Sequence, residues 1–471
     1  MQTVQWICFS HMIGGIKMKL SSVDATQGSI LRSIFIYAIP LFLTTLLQSL
    51  FNAVDLAVLG NMADTTSVAA VGATAPLTGL LLNLFVGFSA AVKVILARQI
   101  GARDRDGVER TVSMSLIIPV MSGLLLAVVG IVLTPIMLRL TNCPADCIDG
   151  ATTYLRIYIA SAPAILLYNF GSSVLTASGD TKRPLYYMAA CGLLNVALNI
   201  LLCLILPKKV AAVAIATAAS QVLGAVLVWL RLFRMDGMCK VVWSRIRWST
   251  QSLISIFKFG IPLVISSVLY PICNVLIQSG INDIGVSAIA GNSAGTTLET
   301  LVMGIPSAFA TTTTAFMGQN IGAGKIDRVK KSFFYCLLIG AVITFIPSVL
   351  LYVTGDFWLG FILTDDALAY EYAYMRMQCV LLIYAVSAIN NCCSHAIQTF
   401  GYPFYGTAAS LVSVFGFRMI WMQFIYPHFA PSFFHLVICF SISWGINLLF
   451  QSIGATVYYR RFLKGKYRKR L

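Results

Sequence analysis

Twelve long apolar runs, separated by short polar breaks, constrain this chain more than any other feature. They lie near residues 34–59, 68–92, 112–138, 154–176, 185–206, 210–233, 256–281, 286–316, 333–354, 374–398, 404–427 and 433–458. Each is long enough to cross a hydrocarbon core of about 30 Å as an α-helix. In a bilayer every backbone N–H and C=O must be satisfied within the segment, and a helix does this. Only 11% of the 471 residues are charged and 58% are hydrophobic, against about 25% charged in soluble proteins. The expected fold class is therefore an all-α integral membrane protein with twelve transmembrane helices. Pro40, Pro119, Pro163, Pro262 and Pro306 fall inside runs, where kinks are tolerated and can act as hinges.

The net charge of +16 does not point to nucleic acid. Of the 33 Lys and Arg, 27 lie in the amino-terminal lead, in the breaks near 93–111, 177–184, 231–258 and 317–332, and in the carboxyl tail. These segments alternate along the chain, so they share one face of the membrane. The positive-inside rule makes that face cytoplasmic, with both termini on it. The plasma (inner) membrane is the expected location. Residues 1–17 lack both a basic start and a small-residue cleavage site, which makes a poor signal peptide. They read as a start-site artefact upstream of Met18. Cys143 and Cys147 share a loop without His or further Cys, which favours free thiols over a metal site.

The two halves repeat at an offset near 222. Ile39-Pro40 matches Ile261-Pro262, Asn52 matches Asn274, and Tyr154-Leu155-Arg156 matches Tyr374-Met375-Arg376. Gln99-Ile100-Gly101-Ala102 matches Asn320-Ile321-Gly322-Ala323, and Gly179 matches Gly401. Six spans per half is an even number, so the halves run in the same direction. They should be related by a pseudo-twofold axis along the membrane normal, with a cleft between them. The expected domains are a lead (1–33), an amino-terminal six-helix lobe (34–233), a cytoplasmic linker (234–255), a carboxyl-terminal six-helix lobe (256–458) and a basic tail (459–471).

Asp55 is the strongest functional candidate. A carboxylate at the centre of a membrane helix costs roughly 2.5–3.5 kcal/mol on insertion scales. Its repeat partner is Ile277, so building a lobe does not itself require the acid. Gln48 and Asn52 precede Asp55 by seven and three residues, on one helix face. Asn195 and Asn199 share a face of the fifth run, and Thr217 lies on the sixth. With Asp55 these residues supply the oxygens that a small hard cation requires, although two Asn on a membrane helix also serve as interhelical hydrogen-bond partners. Glu299 either attracts a cationic substrate, serves as a second protonation site, or pairs with Arg376 or Arg418. Asn391 on the tenth run is the repeat partner of Asn169, and both are candidates for the cleft wall. His395, on the same run, is read as a packing residue or a proton relay.

Together these marks resemble the MATE (multidrug and toxic compound extrusion) family over most of the chain beyond Met18. They are Pro40, Gln48, Asn52 and Asp55 on the first run, the Gly179–Pro184 loop, Asn195 and Asn199 on the fifth run, and Gly318-Gln319-Asn320-Ile321-Gly322-Ala323-Gly324 after the eighth. The resemblance implies two six-helix lobes alternating between outward- and inward-open states. It implies exchange of H⁺ or Na⁺ for amphipathic, often cationic, organic compounds. It also implies an amino-lobe ion-coupling site at Asp55, Asn195, Asn199 and Thr217. Relatives with that site often carry Asp where this chain has Asn199. No cofactor beyond the coupling ion is implied. The expected partners are a small organic substrate and the lipid bilayer, with neither nucleic acid nor an obligate protein partner.

Two rivals belong to other classes. A flippase for lipid-linked saccharides would need several cations in the cleft, and Arg376 and Arg418 alone offer them. A membrane-embedded transferase needs acids or His clustered at one face. His11, His395, His428 and His435 are scattered instead, so the chain is read as no enzyme.

Overall fold

The computed structural model describes residues 22–63, 65–141, 143–363, 366–429 and 432–464. The proposed start-site artefact at 1–17 and most of the basic tail lie outside these residues. The twelve runs become twelve helical spans: α1 Ile30–Met62, α2 Thr65–Gly101, α3 Arg105–Leu140, α4 Ile148–Ala160 with Ala162–Ala177, α5 Lys182–Ile205 and α6 Lys209–Arg234, then α7 Thr250–Ile284, α8 Val286–Gly322, α9 Ile326–Val353, α10 Ala367–Thr399, α11 Pro403–His428 and α12 Phe433–Leu463. Large apolar side chains of α3 point outward, with Leu125, Val128 and Val132 each at least 66% exposed. That is the surface a lipid-facing helix presents. The two parts of α4 meet at 45°, and Pro163 sits in the first turn of the second part. Its missing N–H and its ring account for the break.

One span differs in kind. Eleven are apolar enough to be recognised as spans by composition, counting bent α4 as one; α8 is not. It carries Asn292, Glu299 and the run Thr311 to Thr314, and its buried residues continue from Ala288 to Ile321. Where a face of the helix is buried among other helices, its polarity is met by protein partners rather than lipid, while Leu301 and Met303 remain 41% and 48% exposed.

The spans form two lobes with matching contacts. In the first, α5 packs on α6 and α1, and α4 on α2, α3 and α6. In the second, α8 packs on α9 and α10, and α10 on α12. The lobes meet where α1 packs on α8, where α2 packs on α7, and where α2 and α8 face each other. This is the pairing that a twofold exchange of halves would produce. The repeat is visible in single residues. Gly179 and Gly401 both end a helix with left-handed backbone, at φ +93° and +91°, a conformation only glycine adopts without strain.

At one end of the bundle the lobes are shut. A β-carbon at Gly101 would run into the Gln319 carbonyl, and one at Gly322 into the Arg98 carbonyl. One at Gly318 would stand 2.7 Å from the Ala97 β-carbon. The linker, containing a 3-10 turn at Trp243–Arg245, and the amino-terminal lead lie at this same end, where Met238, Ser22 and Asp24 line one cavity with Gly101 and Gly322. Gly322→Val is expected to pry this end apart. A Thr314→Cys probe in a cysteine-free background should then react several-fold faster with a water-soluble maleimide. An unchanged rate would mean that the glycine contact does not hold the lobes together.

Candidate functional site

In the amino-terminal lobe, α1, α5 and α6 bring four sequence-predicted residues into one chain of contacts. Asn199 donates from Nδ2 to Asp55 Oδ1 at 2.5 Å and lies 3.3 Å from Asn195 Oδ1. Asn195 Nδ2 in turn reaches Thr217 Oγ1 at 3.4 Å. Thr217 donates its hydroxyl proton back to the Val213 carbonyl at 3.0 Å, a local bond that keeps the hydroxyl oxygen turned to Asn195. Asn199 is fully buried and Asn195 is 6% exposed, whereas Asp55 is half-buried. The helical spacing explains the arrangement: Asn195 and Asn199 are one turn apart on the face that α5 turns toward α1 and α6.

The chemistry of this set is narrow. Asp55 meets a neutral amide and no cationic side chain among its recorded partners. Its charge is met by hydrogen bonding alone, so a proton or a small cation is what can discharge it. Asn199 Oδ1 is buried and meets no donor among the described residues. Asn is ambivalent: its NH₂ donates to a carboxylate, and its oxygen accepts from a carboxylic acid or ligates a cation. Tyr154 on α4 lies within electrostatic reach of Asp55, a neighbour that the sequence reading did not place in the site.

The cleft candidates separate. Gln48 and Asn52 lie on α1 and are exposed. Asn169 spends its amide donor on the Ile165 carbonyl of its own helix at 2.8 Å. Asn391 is half-buried, and its neighbour Asn390 donates to the Trp444 carbonyl at 3.1 Å. Glu299 is buried in an ion pair: Arg376 Nε and Nη2 donate to its two oxygens at 2.8 and 2.9 Å. The pairing with Arg376, one of the alternatives for Glu299, is present. His395 Nδ1 stands 2.8 Å from Thr314 Oγ1.

The carboxyl-terminal lobe holds a second polar constellation, in which further partners join the Glu299–Arg376 pair. Arg376 Nη1 donates to Asn292 Oδ1 at 2.6 Å. Arg418 donates to Ser443 Oγ at 3.1 Å and to Asn274 Oδ1 at 3.2 Å. Both guanidiniums lie against the Phe440 ring, at 5.2 and 4.3 Å from its centroid, a contact favoured for desolvated cations. The helices are widened here. A π-helical turn at Met377–Leu381 follows Arg376, and two more, Leu411–Gly416 and Trp421–Ile425, flank Arg418. Such turns often occur at functional positions. Where the first lobe has Asp55, Asn195 and Asn199, this lobe has Ile277, Phe417 and Trp421. The lobes share a fold but differ in polarity. Among the described residues there is no cluster of His, Cys, Asp and Glu able to hold a metal ion.

The sequence model of the MatE family matches residues 40–201 and 262–422, one block in each half. Similar chains include the probable multidrug resistance proteins YoeA and YpnP of Bacillus subtilis (strain 168). YoeA is 24% identical over 413 residues, covering 86% of this chain and 88% of its own. YpnP is 24% identical over 442 residues, covering 94% and 97%. Among solved structures, an outward-facing multidrug resistance MATE family transporter of the MOP superfamily superposes with a TM-score of 0.84 at 20% identity. It covers 93% of this chain and 99% of that one.

Proposed function

This chain belongs to the MatE family of multi-pass membrane exporters, and from that premise we propose that it is an H⁺-coupled antiporter. It expels amphipathic, often cationic, organic compounds by alternating access. The observation that carries this reading is the Asp55–Asn199 contact, a carboxylate inside a span that is hydrogen-bonded by a neutral amide and meets no cationic side chain among the described residues. The moving bodies are residues 34–233 and 256–458, joined by the 234–255 linker. The shut end that carries the linker faces the cytoplasm, in the plasma membrane, with both termini on that side. Maleimide labelling of a cysteine placed in the linker of intact cells should fail. Labelling from outside would overturn the orientation.

In this scheme Asp55 takes a proton from the outer side and releases it to the cytoplasm. Protonation and substrate binding favour different lobe arrangements, and only such differential affinity drives the exchange. One proton moving down 100 mV supplies about 2.3 kcal/mol, and each pH unit adds about 1.36 kcal/mol. Either term alone concentrates a neutral solute at least about tenfold.

The coupling ion is read as H⁺ rather than Na⁺ because the site holds one formal charge. The oxygens of Asp55, Asn195, Asn199 and Thr217 suit Na⁺ in type, but a single carboxylate binds it weakly. Asn199→Asp adds the second charge. It is expected to convert dye efflux from proteoliposomes from Na⁺-indifferent to Na⁺-stimulated, by roughly tenfold or more in apparent Na⁺ affinity. Wild-type efflux that needs a Na⁺ gradient and ignores a pH gradient would overturn the H⁺ reading. The flippase reading is weaker, since Arg376 and Arg418, which a lipid pyrophosphate would need, are engaged within their own lobe.

A further inference from the structure

The repeat predicts two equivalent sockets at the linker end, and the described residues fill one of them. On one side the amino-terminal lead runs through as a strap. Val23 N–H donates to the Gly179 carbonyl at 3.0 Å, and Ala25 N–H to Gln319 Oε1 at 3.1 Å. Asn320 Nδ2 donates to the Ala25 carbonyl at 3.0 Å. Lys325 Nζ donates to the Thr26 carbonyl at 2.8 Å, and Arg328 holds the carbonyls of Ala25, Gln27 and Gly28. The repeat partners of Gly179, Gln319, Asn320, Lys325 and Arg328 are Gly401, Arg98, Gln99, Asp104 and Gly107. All five line a groove of about 800 Å³. The strap's own repeat partner, near 245–250, does not enter it. It runs along the start of α3 instead, with Arg245 3.9 Å from Glu109 and Arg247 3.9 Å from Asp106.

The open groove has the chemistry of an anionic headgroup site. Its lining carries Arg98, Arg110 and Lys258 against one carboxylate, Asp104, and Asp104 already caps α3 through the Gly107 N–H at 2.9 Å. Arg98 is tethered to the Thr399 carbonyl. Arg110 and Lys258 are in no ion pair among the described residues. Thr111 Oγ1 and Gln99 Oε1, also in the lining, are buried and meet no partner among the described residues, and Thr111 is 0% exposed. Tyr402, Tyr405 and Tyr458 complete the wall, as tyrosine does at a membrane–water interface. The groove opens beside apolar side chains on the outer surface: Phe404 is 59%, Ile254 61% and Phe257 41% exposed. A phosphate on the cations would leave two acyl chains lying along these residues. A peptide strap fits less well, because Arg328, which holds three strap carbonyls, is replaced here by Gly107.

We propose that this groove binds one anionic phospholipid headgroup of the cytoplasmic leaflet, in the place where the other half holds its own strap. A lipid there would bridge α3 of one lobe and α7 of the other, so its binding would favour the arrangement shut at this end. The assignment of leaflet rests on the orientation proposed above. The binding itself does not, and a titration in detergent keeps the two separable.

The test uses full-length, delipidated protein in detergent, titrated with dioctanoyl phosphatidylglycerol and read by native mass spectrometry. Dioctanoyl phosphatidylcholine and sn-glycerol 3-phosphate serve as the parallel probes. Phosphatidylglycerol is expected to bind at one site, with phosphatidylcholine at least tenfold weaker and glycerol phosphate weaker still. The Arg110→Gln, Lys258→Gln double variant should weaken phosphatidylglycerol by about thirtyfold, at about 1 kcal/mol for each basic residue. The exposed pair Lys330→Gln, Lys331→Gln should leave the affinity unchanged. An unaltered melting temperature without lipid would show that the double variant folds. Equal phosphatidylglycerol affinity in the double variant, equal binding of phosphatidylcholine, or equally tight binding of glycerol phosphate would each overturn the proposal.

Discussion

Replacing Asp55 with Asn is expected to leave the protein in the membrane at normal levels and to reduce gradient-driven efflux to the leak rate, a loss of at least about a hundredfold. The substitution preserves shape and leaves an amide beside Asn199, where two amides can pair through N–H and C=O. It removes the one group that can alternate between charged and discharged. Nothing else in the constellation titrates in its place: Asn195, Asn199 and Thr217 are neutral at all relevant pH. Substrate affinity, measured by dye binding to detergent-solubilised protein, should change by no more than a few-fold. Proteoliposomes with an imposed pH gradient give the decisive reading. Near-wild-type efflux by inserted Asp55→Asn would make Asp55 a packing residue and end the coupling assignment.

A companion variant sharpens the result. Ile277→Asp places a carboxylate at the repeat-equivalent position, yet it should not rescue Asp55→Asn. The second lobe presents Phe417 and Trp421 where the first has Asn195 and Asn199. The new acid would stand one turn from Asn274, which holds Arg418 at 3.2 Å. A fixed cation nearby keeps a carboxylate charged, and a group that never discharges cannot cycle.

What could be read from sequence follows from what a bilayer enforces. All twelve spans were legible because each is long and interrupted by few charges, α8 included although it is the most polar of them. The Asp55, Asn195 and Asn199 grouping was legible because intramembrane polar groups are rare and helical spacing sets their face. Thr217 was read with them as a further oxygen donor on the sixth run, and it meets Asn195. The second constellation was only half legible. Glu299, Arg376 and Arg418 stood out as charges, but their roles depend on Phe440, Asn292 and Ser443, which are unremarkable in composition. The π-helical turns around the two arginines leave no mark in hydropathy. Nor does the strap: residues 23–28 are a short polar stretch, and only the folded chain brings Ala25 to Gln319, 294 positions away.

Glu299→Gln is expected to be the most damaging single change to stability. Glu299 and Arg376 are each 6% exposed and share two charge-assisted hydrogen bonds. Forming the pair gains little over an apolar alternative, because both ions lose their hydration. Removing one charge is different, since Arg376 cannot lose its proton and would remain charged and buried, with only the neutral oxygens of Asn292 and the new Gln to accept from it. The usual cost of such a broken pair is about 3–5 kcal/mol. It should appear as a marked fall in melting temperature and poor recovery from the membrane. The double variant Glu299→Leu, Arg376→Met removes both charges and is expected to recover most of that loss. Transport separates the remaining roles. If Glu299 only holds Arg376, the double variant should efflux dye under a pH gradient at a rate within a few-fold of wild type. If Glu299 also carries protons, efflux should collapse in the stable double variant as it does in Asp55→Asn. Full stability of Glu299→Gln alone would show that the pair does not hold the lobe together.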